Sequence, residues 1–326
     1  MCTLLTQMKL LDYFGSLGRT GAAPILGYPG VGALGLSATD CLVQPSLHAR
    51  VARYNAERFK PDVALPLLDL TIEAEALGAK PIFKEREAPS IGGMPTVAEA
   101  AETPGIEPPR RKAMTDAAKM MSDQIKGIPS GFFVTGPFTV AGQVIGVENL
   151  LKDVARGKAE VLKLLDRCTD IVVEYAKALD AAGVDFLVMA DPSSSLISPA
   201  QFEKLSKPRI SKVRSAVSSG MILHICGRSG HLVKQMAETG VAGISLDQNV
   251  RLVDALALVP SYVLVFGNYS PTNLLFETPS QIANNVRVML EQVKGSKNIV
   301  GSTGCDIPLS APFENIDAFI QTVKSS

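Results

Sequence analysis

Residues 221–231 read MILHICGRSGH. The run ILHIC is nearly unbroken in its apolar character and too short for a helix, Gly-Arg-Ser-Gly ends it, and a helical pattern follows over 230–239. A strand without polar–apolar alternation is covered on both faces, which is the signature of a parallel sheet wrapped by helices. The same unit recurs along the chain. APILG (23–27), VALPLL (63–68), FFVTG (132–136), DFLVMAD (185–191), AGISLD (242–247), YVLVFGN (262–268) and NIVGSTG (298–304) are similar runs, which with ILHIC (222–226) makes eight. Amphipathic stretches separate them. In 158–181, Val161, Leu165, Cys168, Val172, Tyr175 and Leu179 share one helical face, and Gly183 supplies a stop. Further helices are expected over 201–219, 251–258, 279–294 and 312–324, the last two opening at Thr278-Pro279 and Ala311-Pro312. Eight strands alternating with helices predict an α/β chain closed into a (β/α)8 TIM barrel.

The remaining segments fit around that count. Residues 1–22 read as a helical lead-in, and 79–130, which contains KPIFKEREAPSIGGMPTV, as an insertion of short strands and loop between the second and third barrel strands. No repeat, low-complexity tract or linker interrupts residues 1–326, so a single domain is expected. The composition is that of a protein with a sizeable core, 46% hydrophobic and 20% charged, with Lys+Arg at 32 balancing Asp+Glu at 32. That balance gives no electrostatic case for nucleic acid or an anionic membrane, and points to small molecules or proteins as partners. Five scattered cysteines argue against a disulfide framework, and the N-terminus lacks signal-peptide features, so a cytoplasmic location is expected. The uncharged segment Thr20 to Thr39 is too rich in proline and glycine for a transmembrane helix and reads as strand plus loop.

Two stretches carry chemistry. Gly30, Gly32 and Gly35 in PGVGALG spell G-x-G-x-x-G, but Pro29 breaks the join to the preceding strand, the best helix caps (Ser37, Thr39) come later, and no acidic residue ends a strand at the ribose-binding distance. A flexible loop at the barrel top is the better reading. His224 and Cys226 are two apart in a strand and so face the same side near its C-terminal end. Such a pair is also ordinary core material. Cys305, in GSTGCDIP just past the last strand, changes the balance, because it falls at the face where barrel active sites gather. One imidazole and two sulfurs are donors that favour zinc and leave a fourth position for substrate. Cys2, Cys41 and Cys168 have no such context, His231 reads as the start of the next helix, and His48 receives no role. Asp69, Asp191, Asp247 and Asn268 also end strands. They are candidates to complete the zinc shell, to orient His224 or to bind the polar end of a substrate, with helix capping and loop turns as the other reading. Glu73 and Glu75 read as first-turn helix residues.

LPLLDLTIEAEALGAKPIF (65–83), FVTGPFTVAGQVIGVENLLKD (133–153), GVDFLVMADPSSSLISPAQFEKL (183–205), LHICGRSG (223–230) and TGCDIPLSAPFENIDAFI (303–320) together resemble the uroporphyrinogen decarboxylase superfamily. Within it they look most like the methylcobamide:coenzyme M methyltransferases. The resemblance implies a (β/α)8 barrel and a zinc ion held by His-x-Cys and a distant Cys, which carry over onto His224, Cys226 and Cys305. It also implies a methyl group delivered by a methylated corrinoid on a partner protein to a small-molecule thiol such as coenzyme M. The decarboxylase branch carries an arginine-rich segment near its N-terminus, and the matching part here, GYPGVGALG, has no arginine. Two rivals remain: a metal-free tetrapyrrole decarboxylase using Asp69 or Asp191 to stabilise a protonated pyrrole, and a non-catalytic corrinoid-binding protein.

Overall fold

The computed structural model describes residues 10–95, 99–100 and 108–326. Cys2 and the first nine residues of the expected lead-in lie outside them. Nine strands are formed among the described residues: β1 (Gly21–Ala22), β2 (Lys80–Ile82), β3 (Ser90–Gly93), β4 (Gly131–Thr135), β5 (Phe186–Ala190), β6 (Gly220–Ile225), β7 (Gly243–Leu246), β8 (Leu264–Tyr269) and β9 (Ile299–Thr303). Seven of these pair in parallel in the order β1-β9-β8-β7-β6-β5-β4, with helices between consecutive strands. The gap between β1 and β4 is bridged by the run after Pro61. Asp62 N–H donates to Ala22 O, Ala64 N–H to Pro129 O, and Gly131 N–H to Ala64 O, which closes the ring as a TIM barrel.

Two expected strands are therefore corrected. The runs 23–27 and 63–68 occupy strand positions but form almost no ladder. Pro24 and Pro66 lack the N–H a ladder needs, and a side chain substitutes where Ile25 N–H donates to Thr303 Oγ1 at 3.0 Å. The 79–130 insertion is also corrected. It does contain the short antiparallel hairpin β2–β3, but its second half is a 16-residue helix, Pro109–Gln124, packed beside the helix Pro45–Phe59 in the outer layer. PGVGALG is not loop throughout: Pro29–Ala33 forms one helical turn with Pro29 at its start, and Ser37 precedes the next short helix, Ala38–Cys41, without a capping bond from its side chain.

Alternation sorts the side chains. Phe132, Leu187, Met189, Met221, Leu223 and Ile225 face the helices, whereas Phe133, Phe186, Val188, Ile222, Leu264, Phe266 and Val300 fill the barrel interior. The lead-in helix, residues 10–16, closes the N-terminal end by inserting Leu10 and Phe14 among those interior residues. Gly220 at the foot of β6 leaves room for that insertion: a Cβ there would lie 2.6 Å from Leu10 Cδ1, so Leu10 would have to shift. Moving up β6, the inward positions change from Ile222 to His224 to Cys226. An apolar floor thus carries a polar layer at the C-terminal mouth.

Candidate metal centre

Register places the first partner of His224. On β6 and β7, His224 stands directly opposite Ser245, and its Nδ1 lies 2.9 Å from Ser245 Oγ. The other nitrogen, Nε2, is 2.7 Å from Cys226 Sγ, and Cys226 Sγ is 3.5 Å from Cys305 Sγ. The three ligand atoms all lie within 4.8 Å of one another. Cys305 reaches the cluster from the turn after β9, where Gly304 passes so close to the loop after β7 that a Cβ there would meet Gln248 N at 2.5 Å.

The donor set fits zinc. A tetrahedral ion with Zn–S bonds of about 2.3 Å holds two sulfurs roughly 3.7 Å apart, close to the spacing found here. A donated Nδ1–H on Ser245 Oγ leaves the Nε2 lone pair for the metal, the usual second partner of a ligating histidine. The two thiols titrate as a pair. The hydrogen bond from Cys226, helped by His224, pulls the Cys305 thiol well down, while the same contact and burial push Cys226 up. The adjacent Asp306 carboxyl is pushed up by burial and by Cys305.

The four other candidates occupy different positions. Asp247 Oδ2 accepts from Gly227 N–H at 2.8 Å, and its Oδ1 from Asn249 N–H at 2.9 Å, so it ties the loop after Cys226 to the loop after β7. Asn268 Nδ2 donates to the carbonyls of Asp247 and Val250 and fixes that second loop. Asp191 is fully buried. Its Oδ1 accepts from Thr139 N–H and Oγ1 at 2.8 and 2.7 Å, its Oδ2 from Ser194 Oγ at 2.7 Å, and burial pushes the carboxyl up. Asp69 accepts from Thr71 and pairs with Arg110 Nη1 at 2.6 Å. The cluster of His224, Cys226 and Cys305 therefore includes neither Asp69 nor Asp191.

Glu73 does lie in the first turn of its helix, Ile72–Ala76, but it is buried against β4, accepting from Thr135 N–H and Oγ1 at 2.6 Å each. His231 joins a short 3-10 helix, Ser229–Leu232, with both ring nitrogens 3.0 Å from carbonyls, of Arg228 and Ile197. His48 is buried, stacked on Phe132 and pushed down to about 4 by burial. Cys41 and Cys168 are buried away from the cluster. Sequence reasoning missed Ser245 and Arg110. Ser245 was visible as a lone polar residue inside AGISLD, whereas Arg110 meets Asp69 across 41 residues with no local signal.

The model of the family described as "Uroporphyrinogen decarboxylase (URO-D)" matches residues 32–326. The chain belongs to this family. Among its relatives, a "Methylated-thiol--coenzyme M methyltransferase" of Methanosarcina mazei is 30% identical over 275 residues, 81% of this chain and 73% of that protein. A "Methylcobamide:CoM methyltransferase MtaA" of Methanosarcina barkeri is 28% identical over 298 residues, 88% and 86% of the two chains. A "Uroporphyrinogen decarboxylase" of Synechococcus is 27% identical over 295 residues, covering 86% and 83%. The URO-D barrel also superposes on a solved methyltransferase from Methanosarcina mazei with a TM-score of 0.84 at 24% identity, covering 98% of each chain, which supports the fold.

Proposed function

We propose that this URO-D family member is a methyltransferase that moves a methyl group from a methylated corrinoid, carried on a partner protein, to a small thiol at a zinc ion held by His224, Cys226 and Cys305. The observation that carries the reading is the convergence of one imidazole nitrogen and two sulfurs within 4.8 Å at the barrel mouth. The names of the two Methanosarcina relatives agree with it, and that of the Synechococcus relative matches the decarboxylase reading instead. We further propose that residues 1–326 act as a single domain in the cytoplasm, where thiols stay reduced; among the described residues no helix is long and apolar enough to cross a membrane.

When bound, zinc would supply the Lewis acidity that keeps an acceptor thiol ionised at neutral pH, where a free thiol with a pKa of about 8.5 is mostly protonated. His224 is oriented by Ser245, and Cys226 is held by a loop that Asp247 anchors. The acceptor sulfur attacks the methyl carbon in line, forming the S–C bond as the C–Co bond breaks and its electron pair returns to cobalt. No protein general base is required for this step, in keeping with a chain of three histidines of which His48 is buried and His231 is engaged with carbonyls.

The decarboxylase reading has less support. Asp191 has no exposure and every oxygen engaged, Asp69 is held by Arg110, and residues 27–35 bring no arginine to the mouth. Incubation with methylcobalamin and 2-mercaptoethanesulfonate or 2-mercaptoethanol tests the proposal by the absorbance change of cobalamin demethylation. Turnover that falls at least a thousandfold in Cys305→Ser is expected. Metal-independent decarboxylation of uroporphyrinogen with no thiol methylation would overturn it.

A further inference from the structure

A cleft of about 480 Å³ opens beside the metal centre, with Asp306, the neighbour of Cys305, on one wall together with Leu309. Tyr28 and the loop of the β2–β3 hairpin, carrying Arg86 and Glu87, also line it. The charges in it are unequally committed. Tyr28 donates its hydroxyl to Leu68 O, and Glu87 is paired with Lys84 at 2.8 Å. Arg110, the other guanidinium near this hairpin, is spent on Asp69 and Glu75 and stacks over Phe83. Arg86 is exposed to the cleft and makes no ion pair with any described residue. The loop that presents it is fixed to the body, because Ala38 N–H donates to Glu85 O at 3.0 Å and Pro89 is buried.

From these positions we infer that Arg86 is the specificity residue for the acceptor thiol, binding a terminal carboxylate or sulfonate while the thiol end points to Cys226 and Cys305. A guanidinium presents paired N–H donors that match either oxyanion, and lysine keeps the charge but not the fork. The cleft adjoins the sulfur pair through Asp306, the residue after Cys305, and carries the Arg86 guanidinium in its lining. The inference rests on thiol methylation at this site.

Its test uses the full chain with zinc, three acceptors (3-mercaptopropionate, 2-mercaptoethanesulfonate and 2-mercaptoethanol), and direct thiol binding by calorimetry beside KM and kcat. The wild type is expected to favour one or both acidic thiols over 2-mercaptoethanol at least tenfold in KM and in binding, and the better of the two identifies the oxyanion. Arg86→Gln should abolish that preference and Arg86→Lys restore part of it. Arg86→Glu should shift it toward 2-aminoethanethiol. Zinc content and circular dichroism equal to wild type establish that each variant is folded. Retention of the acid preference in Arg86→Gln, or its absence in a wild type that methylates thiols, overturns the assignment of Arg86 alone. A wild type that methylates none of the three thiols overturns the functional reading and the inference together.

Discussion

Two polar clusters sit at the C-terminal end of this barrel, and they differ in how far their hydrogen-bonding capacity is spent. Around Asp69, the carboxylate, Thr71, Arg110 and Glu75 satisfy one another, with Phe83 covering the guanidinium. Around His224, an imidazole nitrogen and two sulfurs face one another, with no carboxylate or amide among the cluster's ligand atoms. Both groups are sheltered, so burial alone does not tell scaffold from site. What separates them is that the first is a closed set of donors and acceptors, whereas the second brings three lone-pair donors to one point, a set that suits a cation.

Breaking the closed cluster should cost stability and little else. Arg110→Met leaves Asp69 buried without its cation, and a loss of about 3–5 kcal/mol in urea unfolding is expected. Zinc stoichiometry of the folded fraction should stay at the wild-type value. A fall in zinc at unchanged stability would merge the two clusters and defeat the contrast.

Glu73 sharpens the same side of the comparison. Burial pushes its carboxyl up to about 7 from 4.5 despite the hydrogen bonds from Thr135. A raised carboxyl favours the folded state fully below the unfolded value, near pH 4.5, and that contribution is lost as pH rises through about 7. Glu73→Gln stays neutral, so it should match the wild type near pH 4.5 and exceed it by on the order of 3 kcal/mol at pH 8. Equal stability of the two proteins at pH 8 in urea titrations would show that this carboxyl ionises without cost.

Ser245→Ala should give the smallest free-energy change and act on the other cluster. Loss of the Nδ1 partner should weaken zinc about 10- to 100-fold in competition with a chelator, with stability changed by about 1 kcal/mol. Unaltered zinc affinity would mean that packing around the strand, rather than this hydroxyl, sets the ring.

These differences also mark how much the chain declared in advance. Six strand runs were legible because strands covered on both faces have continuous apolar sequences, and Cys305 was legible because it follows the last of them. The runs 23–27 and 63–68 failed as ladders through Pro24 and Pro66, a local chemistry that apolar content hides. The helix Pro109–Gln124 was overlooked behind a glycine- and proline-rich approach. Its signal was present in Met114, Ala117, Ala118 and Met121, spaced along one buried face after a proline at the first turn. The saturation of Asp69 and Asp191 could be read only in part: Thr71 and Ser194 lie two and three residues away, but Arg110 and Thr139 are 41 and 52 residues distant in sequence.

The account stands most directly on the metal content of protein purified without an affinity tag. About one zinc per chain in the wild type, falling below a tenth of an equivalent in Cys305→Ser with the fold intact, is the predicted result. A wild type holding less than a tenth of an equivalent after incubation with zinc, or a Cys305→Ser variant that keeps a full equivalent, would contradict it.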